Sequence, residues 1–307
     1  MTSPVTSATA TVAVSEDRQR TRTGLVYGLA AYLSWGFVVF YFKAVAHISP
    51  FEVLAHRIVW SLLLLGTLLG LRGRWRDGLA VVRDRRTLGL LLITTGLIAI
   101  NWFTFIWAVG HDRVLQASLG YYINPLVNVA LGFVFLKERP RRAQWIAVAL
   151  ATVAVTILTW QMGRLPVIAL VLAFSFGIYG LLRKTMRAEA LVGLAVETTL
   201  LLPVAVGYLI WLARDGAMHF GSVAFTDDLL LVAAGVVTAL PLLWFANAAR
   251  RLKYTTVGLL QYIAPSLQFL TAVLVFGEAL RLGQILAFGL IWVALAVYTQ
   301  DAWRQPR

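Results

Sequence analysis

Cysteine is absent from the 307 residues, which excludes disulfide frameworks, thiolate metal sites and cysteine nucleophiles. Charge is scarce: Asp, Glu, Lys and Arg make up 13% of the chain, where about 25% is usual for a soluble domain. The four histidines (His47, His56, His111 and His219) are scattered too widely to suggest a metal cluster. No G-x-x-x-x-G-K-[ST] phosphate loop, G-x-G-x-x-G turn or H-E-x-x-H pair occurs, so nothing points to ATP hydrolysis, dinucleotide binding or zinc chemistry. No cofactor is expected. The net charge of +13 does not imply nucleic acid, because the basic residues punctuate apolar runs instead of gathering on one polar surface.

What is present is apolar. Hydrophobic residues form 60% of the chain and the mean hydropathy is +0.78, values that point to lipid as the solvent. A hydrocarbon core about 30 Å thick takes about 20 helical residues. Ten stretches qualify: 25–44, 53–71, 88–109, 114–136, 142–160, 166–183, 190–212, 228–249, 255–276 and 282–300. Residues 1–23 have no apolar stretch, so they are read as a disordered cytoplasmic tail and not a signal peptide. Residues 301–307 form the C-terminal tail.

The basic residues test this segmentation. With ten spans, 21 of the 27 Lys and Arg fall on the side of the N-terminus. Five (Lys43, Arg113, Arg164, Arg214 and Arg281) fall on the other side, and Arg57 lies within a span. This bias predicts a multi-pass protein of the cell membrane with both termini cytoplasmic. In 73–87, Trp75, Leu79 and Val82 recur at helical spacing among arginines, which fits a short interfacial helix or a solvated turn. The loop 213–227 leaves the same two options open.

The chain repeats itself. At an offset of 140, eleven of the 36 positions in 119–154 are identical to 259–294. Among them are Tyr122/Tyr262, Pro125/Pro265, Glu138/Glu278, Arg141/Arg281 and Gln144/Gln284. At an offset of 141 the first helices also match, through Ser34/Ser175, Gly36/Gly177 and Lys43/Lys184. Five spans per copy is an odd number, so the second copy enters the membrane inverted. The loops agree: 72–87 holds six arginines and its counterpart 213–227 holds one. The expected fold is all-α, with ten transmembrane helices in two inverted five-helix modules, 24–160 and 166–300. Inverted repeats are a mark of secondary transporters, with the binding site near the midplane.

The halves resemble two EamA-type modules of the drug/metabolite transporter superfamily, and the whole chain is similar to its RarD-like members. The stretches that carry the likeness are Ala31 to Gly36 (AYLSWG), Tyr41 to Lys43 (YFK), His56 to Ser61 (HRIVWS) and Asn101-Trp102. Further along come Ala117 to Leu126 (ASLGYYINPL), Ala173 to Phe176 (AFSF) and Glu197-Thr198. Pro241 to Leu243 (PLL) and Gln261 to Pro265 (QYIAP) complete the set. The resemblance implies a carrier of small metabolites, often an exporter, and a label associated with chloramphenicol sensitivity; it does not disclose the cargo.

An ionisable group inside a span is costly, about 2.5–3.5 kcal/mol for a central arginine, and is therefore a functional candidate. Arg57, with His56 and Trp60, offers a bidentate donor to a carboxylate or phosphate. The structural alternatives are an ion pair with Glu52 or Glu197, or a side chain that snorkels outward. Glu197 aligns with His56 at the 141 offset and is a candidate carrier of a coupling proton, or else a partner within the bundle. Asn101, Trp102, Tyr121, Tyr122, Asn124, Gln261 and Tyr262 complete the expected substrate-binding set. Asn128 and Gln268 add mid-span polar groups, while Pro125 and Pro265 free backbone carbonyls and are read as hinges. Glu138 and Glu278 are expected to anchor turns. Trp35, Trp145, Trp160 and Trp211 are read as an aromatic belt.

The expected function is secondary transport, with export the direction the resemblance implies, of a small metabolite or drug-like molecule by alternating access; the expected partners are the bilayer, that substrate and a coupling proton. No catalytic residues and no metal are expected. A non-transporting scaffold or receptor-like membrane protein is the alternative, and an intramembrane enzyme is a weaker one. One chain of ten spans encloses a path, so a monomer and a homodimer both satisfy the sequence.

Overall fold

The structure is a computed structural model and describes residues 5–110, 114–162, 167–275 and 282–304. Glu278, Arg113, Arg164 and Arg281, all weighed above, lie outside the described residues. Twelve helices account for the regular structure among the described residues. In the first half they are α1 (Val5–Ala44), α2 (Pro50–Leu71), α3 (Trp75–Arg83), α4 (Arg85–Gly110), α5 (Val114–Leu136) and α6 (Arg142–Met162). The second half contains α7 (Val167–Thr185), α8 (Ala190–Arg214), α9 (Phe225–Arg251), α10 (Tyr254–Leu260), α11 (Ile263–Leu274) and α12 (Leu282–Arg304).

Seven of these are long and apolar enough to cross a membrane: Arg18–Ala44, Pro50–Leu71, Arg85–Phe105, Arg142–Gln161, Val167–Thr185, Ala190–Arg214 and Phe225–Arg251. Gly120–Leu136 and Ile285–Val297 are shorter apolar helices. The span expected at 255–276 is divided. Its helix breaks at Gln261–Tyr262, where Gln261 and Tyr262 donate to carbonyls three and four residues back. Pro265 has no N–H to give the Gln261 carbonyl, which removes the bond that would carry an unbroken helix through this point. Pro125, its repeat counterpart, lies inside the continuous α5.

One further difference from the sequence reading, and the outcome at the two loops it left open, have local causes. Helix α1 reaches back to Val5, through most of the segment read as a tail. Between Pro4 and Gly24 there is no residue that breaks a helix, and alanines recur. The 73–87 segment forms α3, whose Trp75 indole lies against α2 where a Cβ on Gly70 would sit 3.1 Å from Nε1. The 213–227 loop forms turns instead of a helix, with Gly216 and Gly221 at positive φ. Trp145, Trp160 and Trp211 are exposed as a belt requires. Trp35 instead packs within the bundle against Tyr32, Phe176 and Phe245 at centroid distances of 5.6–5.8 Å.

Most helices of the first half pack on helices of the second. Helix α1 lies against α9 and α11, α2 against α8 and α9, and α4 against α7 and α8. Helix α5 packs on α7 and α10, and α6 on α12. The interior they enclose holds Asn101, Asn124, Asn128, Glu197 and Gln261, while Val204, Leu274 and Trp160 point outward. Polar groups inside and apolar ones outside is the arrangement that lipid favours.

Candidate functional site

Helix α2 positions Arg57. Pro50 stands at its first position, where the missing N–H costs nothing, and Glu52 occupies the first turn, where the helix dipole favours an anion. Two turns further along, Ser61 Oγ donates to the Gly235 carbonyl of α9 at 3.1 Å. The helices meet so closely that a Cβ on Gly235 would lie 2.5 Å from the Trp60 carbonyl carbon. This contact aims Arg57 at α9. Its Nε donates to Thr238 Oγ1 at 2.7 Å, and its guanidinium lies 5.3 Å from the Trp102 ring and 5.6 Å from that of Phe42. The phenols of Tyr41 and Tyr121 are the titratable groups that act on its charge. Arg57 therefore pairs with neither Glu52 nor Glu197; its neighbours are a hydroxyl and aromatic faces. Cation–π contacts and one neutral acceptor leave most of the guanidinium fork without an anion.

A cavity of about 20 Å3 borders Arg57, Trp102, Ser61, Thr198 and Thr238. That volume holds about one water molecule. Its two ends differ. Toward one end, His56 accepts from Trp60 Nε1 at 3.2 Å and lies under the Phe220 ring, with centroids 4.8 Å apart. Phe220 comes from the turn after α8, and fully buried Glu52 holds that turn. Glu52 accepts from the backbone N–H of His219 at 2.8 Å and of Phe220 at 3.2 Å, and its second oxygen lies 3.1 Å from His219 Nδ1. Toward the other end, Leu65, Leu69, Leu191, Leu194, Leu242 and Leu243 close the same three-helix seam. Beyond them lie Arg72, Arg250 and Arg251, at what is here termed the basic end of the bundle.

Glu197 belongs to a second centre. It accepts from Thr94 Oγ1 and from Tyr179 Oη at 3.3 Å, and Arg183 Nη1 lies 3.9 Å away, both charged side chains being buried. Arg183 also donates to the Ala190 carbonyl at 2.9 Å. Arg183, the last residue of the expected span 166–183, stands in the last turn of α7 and is buried.

A third polar group marks the crossing of α5 with α10 and α11. Asn128 Nδ2 donates to Gln261 Oε1 at 2.7 Å, Tyr262 Oη to the Tyr122 carbonyl at 3.2 Å, and Tyr122 Oη to the Pro265 carbonyl at 3.4 Å. Asn124 is buried with Oδ1 unpartnered among the described residues. Asn101 stands apart from these, donating to Ser175 Oγ and the Leu172 carbonyl of α7, both at 3.0 Å. Glu138 accepts from the N–H groups of Tyr254 and Thr255 at 2.6 and 2.9 Å and so anchors the start of α10.

Of the residues singled out by sequence, His56, Arg57, Trp60, Trp102 and Tyr121 gather at one centre. Glu197 does not join them, and Tyr122, Gln261, Tyr262 and Pro265 cluster at the helix crossing. Thr238, Thr94, Tyr179 and Arg183 were missed as site neighbours. Threonine and tyrosine are common in apolar helices and carry no sequence signal, and Arg183 was hidden among the basic residues at the end of a span.

The sequence profile of the EamA-like transporter family matches residues 22–160. An uncharacterized transporter of Vibrio cholerae is 48% identical over 288 residues, covering 94% of this chain and 95% of its own. Protein RarD of Escherichia coli strain K12 is 45% identical over 286 residues, covering 93% and 97%. A chloramphenicol-sensitive protein RarD of Pseudomonas aeruginosa is 32% identical over 292 residues, covering 92% and 96%. A crystal structure at 21% identity superposes with a TM-score of 0.70 over 93% of this chain and 100% of that one, a likeness of fold alone. Near-full-length identity with RarD proteins, on a bundle of apolar helices with a polar interior, makes this chain a RarD-like multi-pass membrane protein of the EamA-like transporter family.

Proposed function

We propose that this protein is a secondary transporter that moves a small molecule bearing a carboxylate or phosphate past Arg57, by rocking two inverted five-helix modules, 24–160 and 166–300, against each other. The observation that carries this reading is the state of Arg57: a guanidinium enclosed between α2, α4 and α9 whose contacts are Thr238 and two aromatic rings. A part-buried cation held by neutral groups is suited to an anionic ligand that supplies the missing charge.

The packing supports the module division. Exchanging α1 with α7, α2 with α8, α4 with α9, α5 with α10–α11 and α6 with α12 carries the contact α1–α9 onto α7–α4. The same exchange carries α2–α9 onto α8–α4 and α5–α7 onto α11–α1, and it leaves α2–α8, α5–α10 and α6–α12 in place. Such an exchange is what a pseudo-two-fold axis in the membrane plane requires. Ten spans follow if α5, the divided α10–α11 and α12 cross as well. The Lys and Arg bias places both termini in the cytoplasm.

In this reading the described conformation is closed on both sides. The Phe220 turn covers one side and the leucine seam the other, and the roughly 20 Å3 beside Arg57 is too small for a metabolite. Loading therefore requires α2 to part from α8 and α9, and Pro125 and the Gln261–Tyr262 break are the places where the helices bend.

Protein in liposomes, with flux of amino acids, nucleosides, phosphorylated metabolites and chloramphenicol followed with and without a pH gradient, tests this. Saturable flux of an anionic member, lost in Arg57→Gln, is the expected result. Equal flux in a well-folded Arg57→Gln protein would sink the assignment.

A further inference from the structure

At the basic end, between α1, α2, α8 and α9, lies an open cavity of about 430 Å3 lined by Arg20, Arg72, Arg250, Arg251, Asn247 and Glu189. Its size falls in the range of small-molecule sites, about 300–1,000 Å3. The arginines are held in place by neutral acceptors. Arg20 Nη2 donates to the Arg250 carbonyl at 3.1 Å, and Arg250 Nη1 donates to the Ala188 carbonyl. Arg251 Nη1 donates to the Asn247 carbonyl at 3.0 Å and to its Oδ1 at 2.7 Å. Among the described residues, none of the four arginines forms an ion pair. The cavity's one carboxylate, Glu189, is bridged to Arg74. The positive charges of Arg20, Arg183 and Arg251 all repel that of Arg250.

A bias of Lys and Arg toward one membrane face accounts for basic residues at this end. It does not account for four of them converging on one cavity with their carboxylate already engaged. We infer that this cavity is a binding site for a phosphate group, whose multiple charge matches four guanidinium groups that share one carboxylate, Glu189, already bridged to Arg74, and whose oxygens suit their paired donors. Such a group reaches the cavity either on a soluble phosphate-bearing molecule or on the headgroup of an anionic lipid. The site stands on its own geometry. It lies on the same α2–α8–α9 seam as Arg57, beyond the leucines, so on the transport reading it is the antechamber where an anion waits.

The full chain in phosphatidylcholine nanodiscs, titrated with inorganic pyrophosphate at matched ionic strength, tests the inference. Saturable stabilisation against heat is expected, weakened about tenfold in Arg72→Gln and in Arg250→Gln and unchanged in Arg86→Gln, which removes an exposed charge from the same end. The Arg72 side chain forms no hydrogen bond among the described residues, and its backbone cap on α2 is kept in the variant, so Arg72→Gln remains informative if Arg250→Gln folds poorly. Discs containing phosphatidylglycerol separate the sources. Undiminished pyrophosphate binding there identifies a soluble phosphate, and competition that disappears in Arg72→Gln identifies the lipid headgroup. An absence of saturable binding in both discs, or equal weakening in Arg86→Gln, overturns the site. Either failure leaves the Arg57 reading intact, since flux through Arg57 is measured separately.

Discussion

Two intramembrane charges, buried Glu197 and part-buried Arg57, are treated oppositely by this protein. Glu197 on α8 faces Arg183, accepts from Thr94 and Tyr179, and is closed off by the packing of α4 and α7. Arg57 on α2 receives one hydroxyl and two aromatic faces. Glu197 corresponds in the repeat to His56, the neighbour of Arg57, so adjacent positions in two copies of one module carry a paired carboxylate and a cation with no carboxylate partner among the described residues. A satisfied pair holds helices together, and removing either member exposes the other. An unsatisfied cation is costly unless something else supplies the charge. On the proposed function, the difference separates a structural centre from a binding centre.

The comparison breaks most readily at Arg57. Arg57→Gln is expected to lower flux by at least about a hundredfold, the loss of a bidentate anion contact of about 3 kcal/mol, while the melting temperature stays near that of the parent. Glu197→Gln should do the reverse, leaving Arg183 buried without its counter-charge at a cost on the order of 3–5 kcal/mol. Thermal melts in detergent would register it, and the double variant Arg183→Met with Glu197→Gln should recover part of the loss. Flux of the folded Glu197→Gln protein that no longer responds to a pH gradient would instead assign the coupling proton to this carboxyl.

Gly235→Ala acts on the frame that aims Arg57. Its Cβ would meet the Trp60 backbone at 2.5 Å, so the helices must move apart. A stability loss of about 1–3 kcal/mol is expected, together with reduced flux. Thr238→Val removes the acceptor of Arg57 Nε and the hydroxyl's own bond to the Ala234 carbonyl one turn earlier, and a rise of a few-fold in the half-saturating concentration with little change in melting temperature is expected.

The exposed ion pair Arg74–Glu189 provides the smallest contrast. The Arg74 guanidinium holds the Glu189 carboxyl below the usual carboxylate range. A lowered folded-state value contributes stability above the unfolded value near 4.3, and that contribution is lost as the pH falls through the folded value. Because the pair is solvent-exposed, less than about 1 kcal/mol is at stake. Melting curves between pH 6 and pH 3 for the parent and Arg74→Gln should differ by no more than that.

Nine of the ten expected spans each coincide with a single helix, and seven of these helices are long and apolar enough to cross a membrane, because a long apolar stretch has few alternatives to a helix in lipid. The tenth is divided, since Pro265 interrupts bonding that hydropathy does not register. The interfacial α3 was legible from Trp75, Leu79 and Val82, whereas its docking against Gly70 was not. At the site, Arg57, His56, Trp60 and Trp102 stood out because charged and aromatic residues are rare enough in context to be noticed. Thr238, which holds Arg57, did not.

The sequence by itself determined that this chain is helical, lives in lipid, repeats once and carries a cation where lipid would reject one. Those properties are additive along the chain: apolar length, charge bias and internal identity can each be counted residue by residue. Only the tertiary structure decided that Glu197 belongs with Arg183 and not with Arg57, that Glu52 holds the turn bearing Phe220, and that four arginines from α1, the end of α2 and α9 converge on one cavity. Those are pairings between segments separated by up to 230 residues. Which charge finds a partner depends on how the helices cross, a geometry that no single segment contains.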